Sequence, residues 1–580
     1  MADDESKIKS KLPETQWLPG FTAPLNVATK GAFPCALDPV DIDNARVAAL
    51  KTTREMNMIY MMDQIKEKPN WENKIFDETI RSRWRKEAME SGLDFSEKML
   101  DYMFDELEFR ASRLKETGQV AMLDLGVVKS DVAISKDLQE RLKQAVRPLE
   151  EVPEKDYHPG SDEKVVDLVH PSLYPLVYGR TKVLPDQIIG LDDWMSSSKG
   201  EVLPIPPESE QKAPRSWGNR TPYSRRFQWL PCDVKLTDDG CKITSYINNL
   251  HPQKHRDLYQ VIEEIVAKAI PLWNETLSEA TEHGNRIIFE EVEYLPHDPE
   301  PEYRSDDSDG ESYWDKLREW DESRQVVQPE PKKKFSPTPI SVDLRKKFGE
   351  SSGGRGLQVI VKLANIELTP EKPYYEGGTW HIEGQLNERI CATALYYYSN
   401  ENITESTLTF RHRVNEYAFE DIVYEQNQHG FVKQIFGLDP AGPLVQYLGR
   451  IVTKEGRLLT FPNILQHRVG PFELADHSKP GHRKILALFL VDPSRRIIST
   501  ANVPPQQMDW WYERSDLLGS TLKNKLPPEL QNMVMEDLYR PDMTLEEARA
   551  LREELMEERR IKTDEANEAY EEGEFSLCEH

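Results

Sequence analysis

Apolar positions recur at helical spacing near the start of the chain. From Asp43 to about Glu67, Val47, Leu50, Met56, Met58, Ile59 and Met62 fall on a helical repeat, and Phe95–Lys115 repeats the signal with Met99, Met103, Leu107 and Leu114. From about Val165 the texture changes to short segments broken by proline, glycine and polar turns. A third helical run follows from Arg256 to about Thr276, carrying Leu258, Val261, Ile262, Ile265, Val266, Ala269 and Leu272; Arg286–Leu295 then reads as strand. Between about Leu357 and Ile498 the pattern becomes short β-branched and aromatic runs separated by turns: LQVIVKLANIEL, CATALYYY, STLTFRHR, GRLLTFPN and RKILALFLV. That spacing predicts an antiparallel barrel or jelly roll. Thr544-Leu545-Glu546-Glu547 forms a capping box ahead of a charged helix, Ala548–Arg560, and the acidic residues after it read as a solvated tail.

The expected class is therefore α+β, a jelly-roll core with extensive N-terminal and C-terminal helices. It divides into a helical region (1–160), an α+β region packed with the core (161–295), a flexible charged insertion or linker (296–356), the β core (357–500), and a C-terminal helical region with an acidic tail (501–580). Composition narrows the class. With 580 residues, 38% hydrophobic and 9% aromatic, the chain can build a large core. A net charge of −27 argues against a general role on nucleic acid, which needs a basic footprint. Five scattered cysteines suggest no disulfide framework or zinc knuckle. The longest apolar runs, such as Ile485–Val491, are too short to span a bilayer, and MADDESKIKSKLPETQ lacks a signal-peptide core. A soluble protein, cytoplasmic with the nucleus left open, is the expectation, with no membrane or nucleic-acid partner.

The residues that carry chemistry gather in the strand-rich region. YYEGGTWHIE puts His381 and Glu383 two positions apart, on one face if the segment is a strand. GRLLTFPN leads into QHRVGP with His467, and GHR then opens the last apolar strand with Arg483. A His and a carboxylate from one strand, joined by a second His through barrel closure, make the two-His-one-carboxylate set that holds iron(II) and leaves coordination positions open. Arg483 is suited to grip the far carboxylate of a dicarboxylate co-substrate, because its planar charge cannot be titrated away. Tyr374, Tyr375 and Trp380 are candidate pocket residues, and Asn387 and Arg411 are candidate contacts to co-substrate or substrate. His412, His429, His477 and His482 are not expected as ligands; His482, beside Arg483, should face the other way.

This order of motifs resembles the iron(II)/2-oxoglutarate oxygenase superfamily, especially its prolyl-hydroxylase-like members, over about Leu357–Pro493. The resemblance implies a double-stranded β-helix, iron held by His381, Glu383 and His467, and 2-oxoglutarate bound at Arg483. It also implies oxidative decarboxylation of that co-substrate, coupled to hydroxylation of a small-molecule or peptide-like substrate. Glu383 stands where Asp is commoner, and the interval from His467 to Arg483 is long, so ELADHSK must form an extra turn. The phrases DLVHPSLYPLVYGRT, RFQWLPCDV, SYINNLHP, WHIEGQLNERICATALYYYSNENITES and FPNILQHRV are similar to the fungal DUF4246 family, from the N-terminal helices to about Trp511. Three alternatives stay open: a protein side chain as substrate, a β-helix scaffold without turnover, and a cupin-like metalloprotein that does not use 2-oxoglutarate.

Overall fold

The computed structural model describes residues 32–38, 48–184, 187–192, 200–206, 222–281, 284–302, 311–415, 417–440, 442–522, 525–537, 541, 543–572 and 577. The first residues of the chain and most of the acidic tail lie outside them. The helices that matter for the site are α1 (Thr53–Lys66), α2 (Glu97–Thr117), α3 (Lys136–Glu150), α4 (Arg256–Thr281) and α5 (Leu545–Glu572). The strands are β1 (Val120–Met122), β2 (Val127–Ser130), β3 (Val165–Val169), β4 (Cys232–Leu236), β5 (Cys241–Ile243), β6 (Leu357–Leu368), β7 (Tyr374–Tyr375), β8 (Ile390–Glu401), β9 (Thr407–Arg413), β10 (Val445–Val452), β11 (Leu458–Pro462), β12 (Gln466–Val469), β13 (Phe472–Glu473) and β14 (Gly481–Val491).

These strands make a mixed α and β molecule built on antiparallel sheets. The large sheet has nine strands in the order β1-β2-β11-β8-β14-β6-β4-β5, with β3 also paired to β6. A small sheet has the order β10-β9-β12, and β7 pairs with β13. Among the described residues no continuous ladder closes these sheets into a barrel; single bridges at His381–His467 and Ile403–Leu474 tie their ends.

Both faces of the large sheet are covered, which is why its strands read as nearly unbroken apolar runs. On β6, Val359, Val361 and Leu363 pack with Leu258, Ile262 and Ile265 of α4, as do Leu486, Leu488 and Leu490 of β14. Residues of opposite parity, Lys362, Ala364 and Ile366 with Arg483, Ile485, Ala487 and Phe489, face a cavity toward the small sheet. A Thr276–Thr460 hydroxyl hydrogen bond of 2.7 Å fixes α4 on β11. Among the described residues no helix is long and apolar enough to cross a membrane.

Several expectations change. The first helix begins at Thr53, because Thr52 is extended and its hydroxyl accepts from the Glu55 N–H, a cap that starts a helix there; 41–47 lie outside the described residues. Arg286–Leu295 forms only isolated bridges, at Glu291–Val423 and Tyr294–Val326, because its apolar Phe289, Val292 and Tyr294 pack on a satellite cluster with Phe419 and Phe431 rather than on a sheet. The segment expected as a flexible linker contains a helix, Glu311–Ser323. It also buries Val326, Leu344 and Phe348 and clamps Arg324 on Glu425 at 2.7 and 3.1 Å. Few apolar residues suffice to dock a segment when each fills a prepared hollow.

One buried cation ties the helical half to the sheet. Arg457, fully buried, holds Asp131 at 2.7 and 2.8 Å and Glu67, at the end of α1, at 2.9 Å; Lys129 also pairs with Glu67. Burial alone would raise the Glu67 pKa, but Lys129 and Arg457 outweigh it and lower it from 4.5 to about 2. A depressed carboxylate pKa adds stability above its unfolded value and loses it as the pH falls toward the folded one. Arg457→Met should therefore cost about 2–4 kcal/mol at neutral pH, toward the lower end because Asp131 is half exposed. In thermal melts, the gap between wild type and Glu67→Gln should be full above pH 4.5 and close on descent toward pH 2; a gap independent of pH would refute this account.

Candidate metal centre

The approach to the site is set by glycine. Gly377 has φ +95°, and a side chain there would sit 2.8 Å from the Val469 carbonyl, so only glycine lets this segment lie against β12. Backbone bonds then follow in register: the Gly378 N–H donates to Val469 O at 3.0 Å, and His381 and His467 exchange N–H···O bonds of 3.2 and 3.0 Å. The His381–Glu383 segment is thus a loop with a single bridge rather than a strand. That bridge brings the two imidazoles together, ring centres 4.3 Å apart and planes inclined by 51°. Asn463 fixes the next residues: its side-chain oxygen accepts from the Glu383 N–H at 3.1 Å, and its amide donates to the Glu383 and Ile390 carbonyls, each at 3.0 Å.

Three donor atoms converge. Glu383 Oε1 lies 3.2 Å from His467 Nε2 and 3.8 Å from His381 Nε2. His381 Nδ1 is 2.9 Å from the Thr379 carbonyl, which places a proton on Nδ1 and turns Nε2 toward the carboxylate. Burial pushes the Glu383 pKa up, but hydrogen bonds from both imidazoles overcome it and hold the carboxyl well below its usual range. Burial works against a charge on His381, yet Glu383 raises its pKa; burial and the neighbouring His381 lower that of His467. An ionised carboxylate flanked by two imidazole nitrogens is the donor set a divalent transition metal takes.

The trio opens into a cavity of about 460 Å³ between the two sheets, lined also by Tyr375, Tyr397, Lys362 and Arg483. Arg483 is 3% exposed. One of its terminal nitrogens donates to Ser406 Oγ at 2.7 Å, Nε has no hydrogen-bond partner, and the guanidinium sits 5.5 Å from the Tyr397 and Phe472 rings. Burial lowers its pKa. His482 faces away and contacts Ser399 Oγ at 2.8 Å. ELADHSK forms a turn held by Asn402, whose side chain bonds Asp476 and Lys479.

Of the other expected contacts, Tyr375 lines the cavity and packs on Phe472 with ring centres 5.1 Å apart. Asn387 and Arg411 stand outside it. Asn387 is fully buried and bonds the Ser224 backbone at 2.7 and 2.6 Å. Arg411 bonds Gln466 at 2.6 Å and Asn567 at 3.1 Å and lies 4.7 Å over Trp380. Their polar ends are consumed bracing the walls.

Sequence reading missed α5 as part of the site. It runs twelve residues past the expected Arg560, and Met556, Arg559 and Thr563 line the cavity. Arg559 lies 3.7 Å over Trp229 and bonds Glu388 at 2.7 Å. Asn567 accepts from Arg411 and from Gln466 at 2.9 Å and donates to the Trp380 carbonyl at 3.0 Å. The spacing Arg552, Met556, Arg559, Thr563, Asn567, Tyr570 follows one helical face and was the available signal.

A second trio, His158, Asp167 and His170, also brings its ligand atoms together. Here Asp167 Oδ2 meets His158 Nδ1 at 2.8 Å and lies 3.8 Å from the Arg552 guanidinium, which itself bonds Asp156 at 2.6 and 2.9 Å. His170 Nδ1 accepts the Ser172 N–H at 3.2 Å. We read it as a polar wall of the cavity.

A family model described as "Protein of unknown function (DUF4246)" matches residues 97–514, and one described as "Domain of unknown function DUF4246, N-terminal" matches residues 18–87. No curated protein matches. Among solved structures, the chain is similar to the Fe(II)/(alpha)ketoglutarate-dependent dioxygenase TqaL (18% identity, 28% of this chain and 48% of that one, TM-score 0.16). It is also similar to IDO from Bacillus thuringiensis (13%, 23% and 44%, 0.13) and to EvdO2 from Micromonospora carbonacea var. aurantiaca complexed with 2-oxoglutarate (11%, 23% and 52%, 0.13). The chain spans about half the length of these structures.

Asn567→Ala should loosen α5. Amide exchange across 545–572 should speed up, with a stability loss of about 1–2 kcal/mol. Unchanged protection of that helix would remove Asn567 as its tether.

Proposed function

For this chain, which belongs to the DUF4246 family, we propose the function of an iron(II)- and 2-oxoglutarate-dependent oxygenase. Its substrate is a small or peptide-like molecule and hydroxylation is the default outcome. The carrying observation is that a converged His381–Glu383–His467 trio shares its cavity with Arg483, a buried guanidinium that has no carboxylate partner among the described residues. A buried cation without a counter-ion costs several kcal/mol, and the carboxylate of a bound diacid would offset that cost. We read the two facing antiparallel sheets as a double-stranded β-helix on the same grounds.

In this reading His381, Glu383 and His467 hold the iron. Arg483, steadied by Ser406, takes the far carboxylate of 2-oxoglutarate, with the Tyr375 and Tyr397 rings beside it. The bound metal and co-substrate supply the oxidative chemistry: oxygen is consumed, 2-oxoglutarate leaves as succinate and carbon dioxide, and one oxygen atom enters the substrate. The chain's part is positioning and exclusion of water. The Thr379 carbonyl keeps the proton of His381 on Nδ1, Asn463 sets the Glu383 backbone, and Trp229, Phe489 and α5 shield the cavity.

Iron(II) and 2-oxoglutarate added to metal-free protein without oxygen should give a weak visible charge-transfer band. Glu383→Ala should abolish it, and Arg483→Ala should weaken 2-oxoglutarate binding by tenfold or more, as expected for the loss of about 1.5–3 kcal/mol from a charged hydrogen bond. An iron-loaded, folded wild type with no band would discard the 2-oxoglutarate assignment. Full activity in Arg483→Ala would favour the cupin-like alternative, and failure to bind iron would favour the scaffold.

A further inference from the structure

The polar wall made by His158, Asp167 and His170 holds hydrogen-bonding capacity that the proposed chemistry does not use. Asp167 lies on β3 opposite Ala364 of β6, with His158 in the turn before the strand and His170 directly after it. The backbone fixes that turn: the His158 N–H donates to the Val165 carbonyl at 2.9 Å and the Asp167 N–H to the Asp156 carbonyl at 2.8 Å. His158 and His170 thereby reach the cavity beside Ser172, with ring centres 5.1 Å apart and planes inclined by 58°.

Their protons are placed in opposite senses. Burial pushes the Asp167 pKa up, but the adjacent imidazoles and Lys362 overcome it and hold the carboxyl well below its usual range. An ionised carboxylate only accepts, so His158 Nδ1, 2.8 Å from Oδ2, bears a proton, and in the neutral ring Nε2 is an acceptor. His170 is the reverse. Its Nδ1 accepts the Ser172 N–H at 3.2 Å, and burial lowers its pKa well below the ordinary value, so the ring is uncharged and Nε2 bears the proton. Among the described residues neither Nε2 has a hydrogen-bond partner.

Charge at this end is balanced. Asp167 offsets Lys362, and Arg552 is held on Asp156 at 2.6 and 2.9 Å, so nothing here calls for an ion. A second metal is also disfavoured, because His170 Nε2 has no lone pair to give while it bears its proton. One acceptor and one donor on adjacent rings suit a single atom that does both, and a hydroxyl oxygen is such an atom. The wall around the pair is apolar: Val165, Ala364, Ile366, Trp229 and Phe489.

We propose that His158 and His170 select the prime substrate, and that this substrate carries an uncharged hydroxyl, alcoholic or phenolic, on an apolar body. The hydroxyl donates to His158 Nε2 and accepts from His170 Nε2. That this ligand is the substrate rests on the oxygenase reading. The cavity volume of about 460 Å³, shared with the co-substrate, suits a body of modest size.

The test is calorimetric binding of 2-phenylethanol and of 4-ethylphenol, each against ethylbenzene, to the full-length protein loaded with iron(II) and 2-oxoglutarate under argon. Transfer from water favours the hydrocarbon, so a greasy pocket with a water-filled wall should prefer ethylbenzene. A wall built for a hydroxyl rejects the analogue that lacks one, because its own donor and acceptor are left unpaired. At least one hydroxyl compound should therefore bind about tenfold or more tightly than ethylbenzene, and which one does so tells alcohol from phenol. His158→Phe should erase that preference with the charge-transfer band still forming; if it forms no band, His158→Leu takes its place. Equal or tighter binding of ethylbenzene in wild type, no binding of either hydroxyl compound, or a preference that survives the substitution overturns the proposal. Loss of the band in both variants also overturns it, because His158 would then serve the metal site or the fold. If wild type forms no band, the oxygenase reading fails. The same comparison on metal-free protein then still decides the hydroxyl site, a preference lost in His158→Phe supporting it and its absence overturning it.

Discussion

The large sheet cannot leave either face to water. Its central strands β6, β14 and β8 carry apolar side chains at both parities, and exposure of either set would forfeit about 25 cal/mol for every Å² of apolar surface. Helices α4 and α3 cover one face. The small sheet covers only part of the other, and the part it leaves becomes the cavity. The position of the cavity, its apolar walls and the row of inward residues Lys362, Ala364 and Ile366 all follow from that incomplete cover.

Buried charge obeys one rule through most of the molecule: each cation has its acid. Lys51 pairs with Glu55 and Asp124, Arg286 with Glu106, and Arg457 with Glu67 and Asp131. Arg483 departs from the rule among the described residues, and it faces the cavity that holds the His381–Glu383–His467 trio.

Helix α5 completes the enclosure and shows how a remote segment is recruited. It lies beyond the family match at 97–514, yet Asn567 links it to Gln466, next to His467, and to Trp380, next to His381. Asn567 thus anchors α5 beside the trio, and the same helix supplies Met556 and Arg559 to the cavity wall.

The sequence by itself determined the longest strands of the core nearly to the residue, because alternation and β-branching act locally: LQVIVKLANIEL is β6, and RKILALFLV lies within β14. It also determined which residues carry donor atoms, since His381, Glu383, His467 and Arg483 stand in recognisable phrases. Tertiary structure alone decided what those side chains meet. Asn387 and Arg411 are chemically able to bind a ligand, but close packing gave their donors to Ser224 and Gln466 first. That Arg483 would be buried without an acid could not be read from the sequence, because whether a charge has a partner depends on chain brought from afar. Helix α5 reads as a charged helix, Ala548–Arg560, ahead of a tail for the same reason: its face acquires a role only when the fold sets it over the cavity.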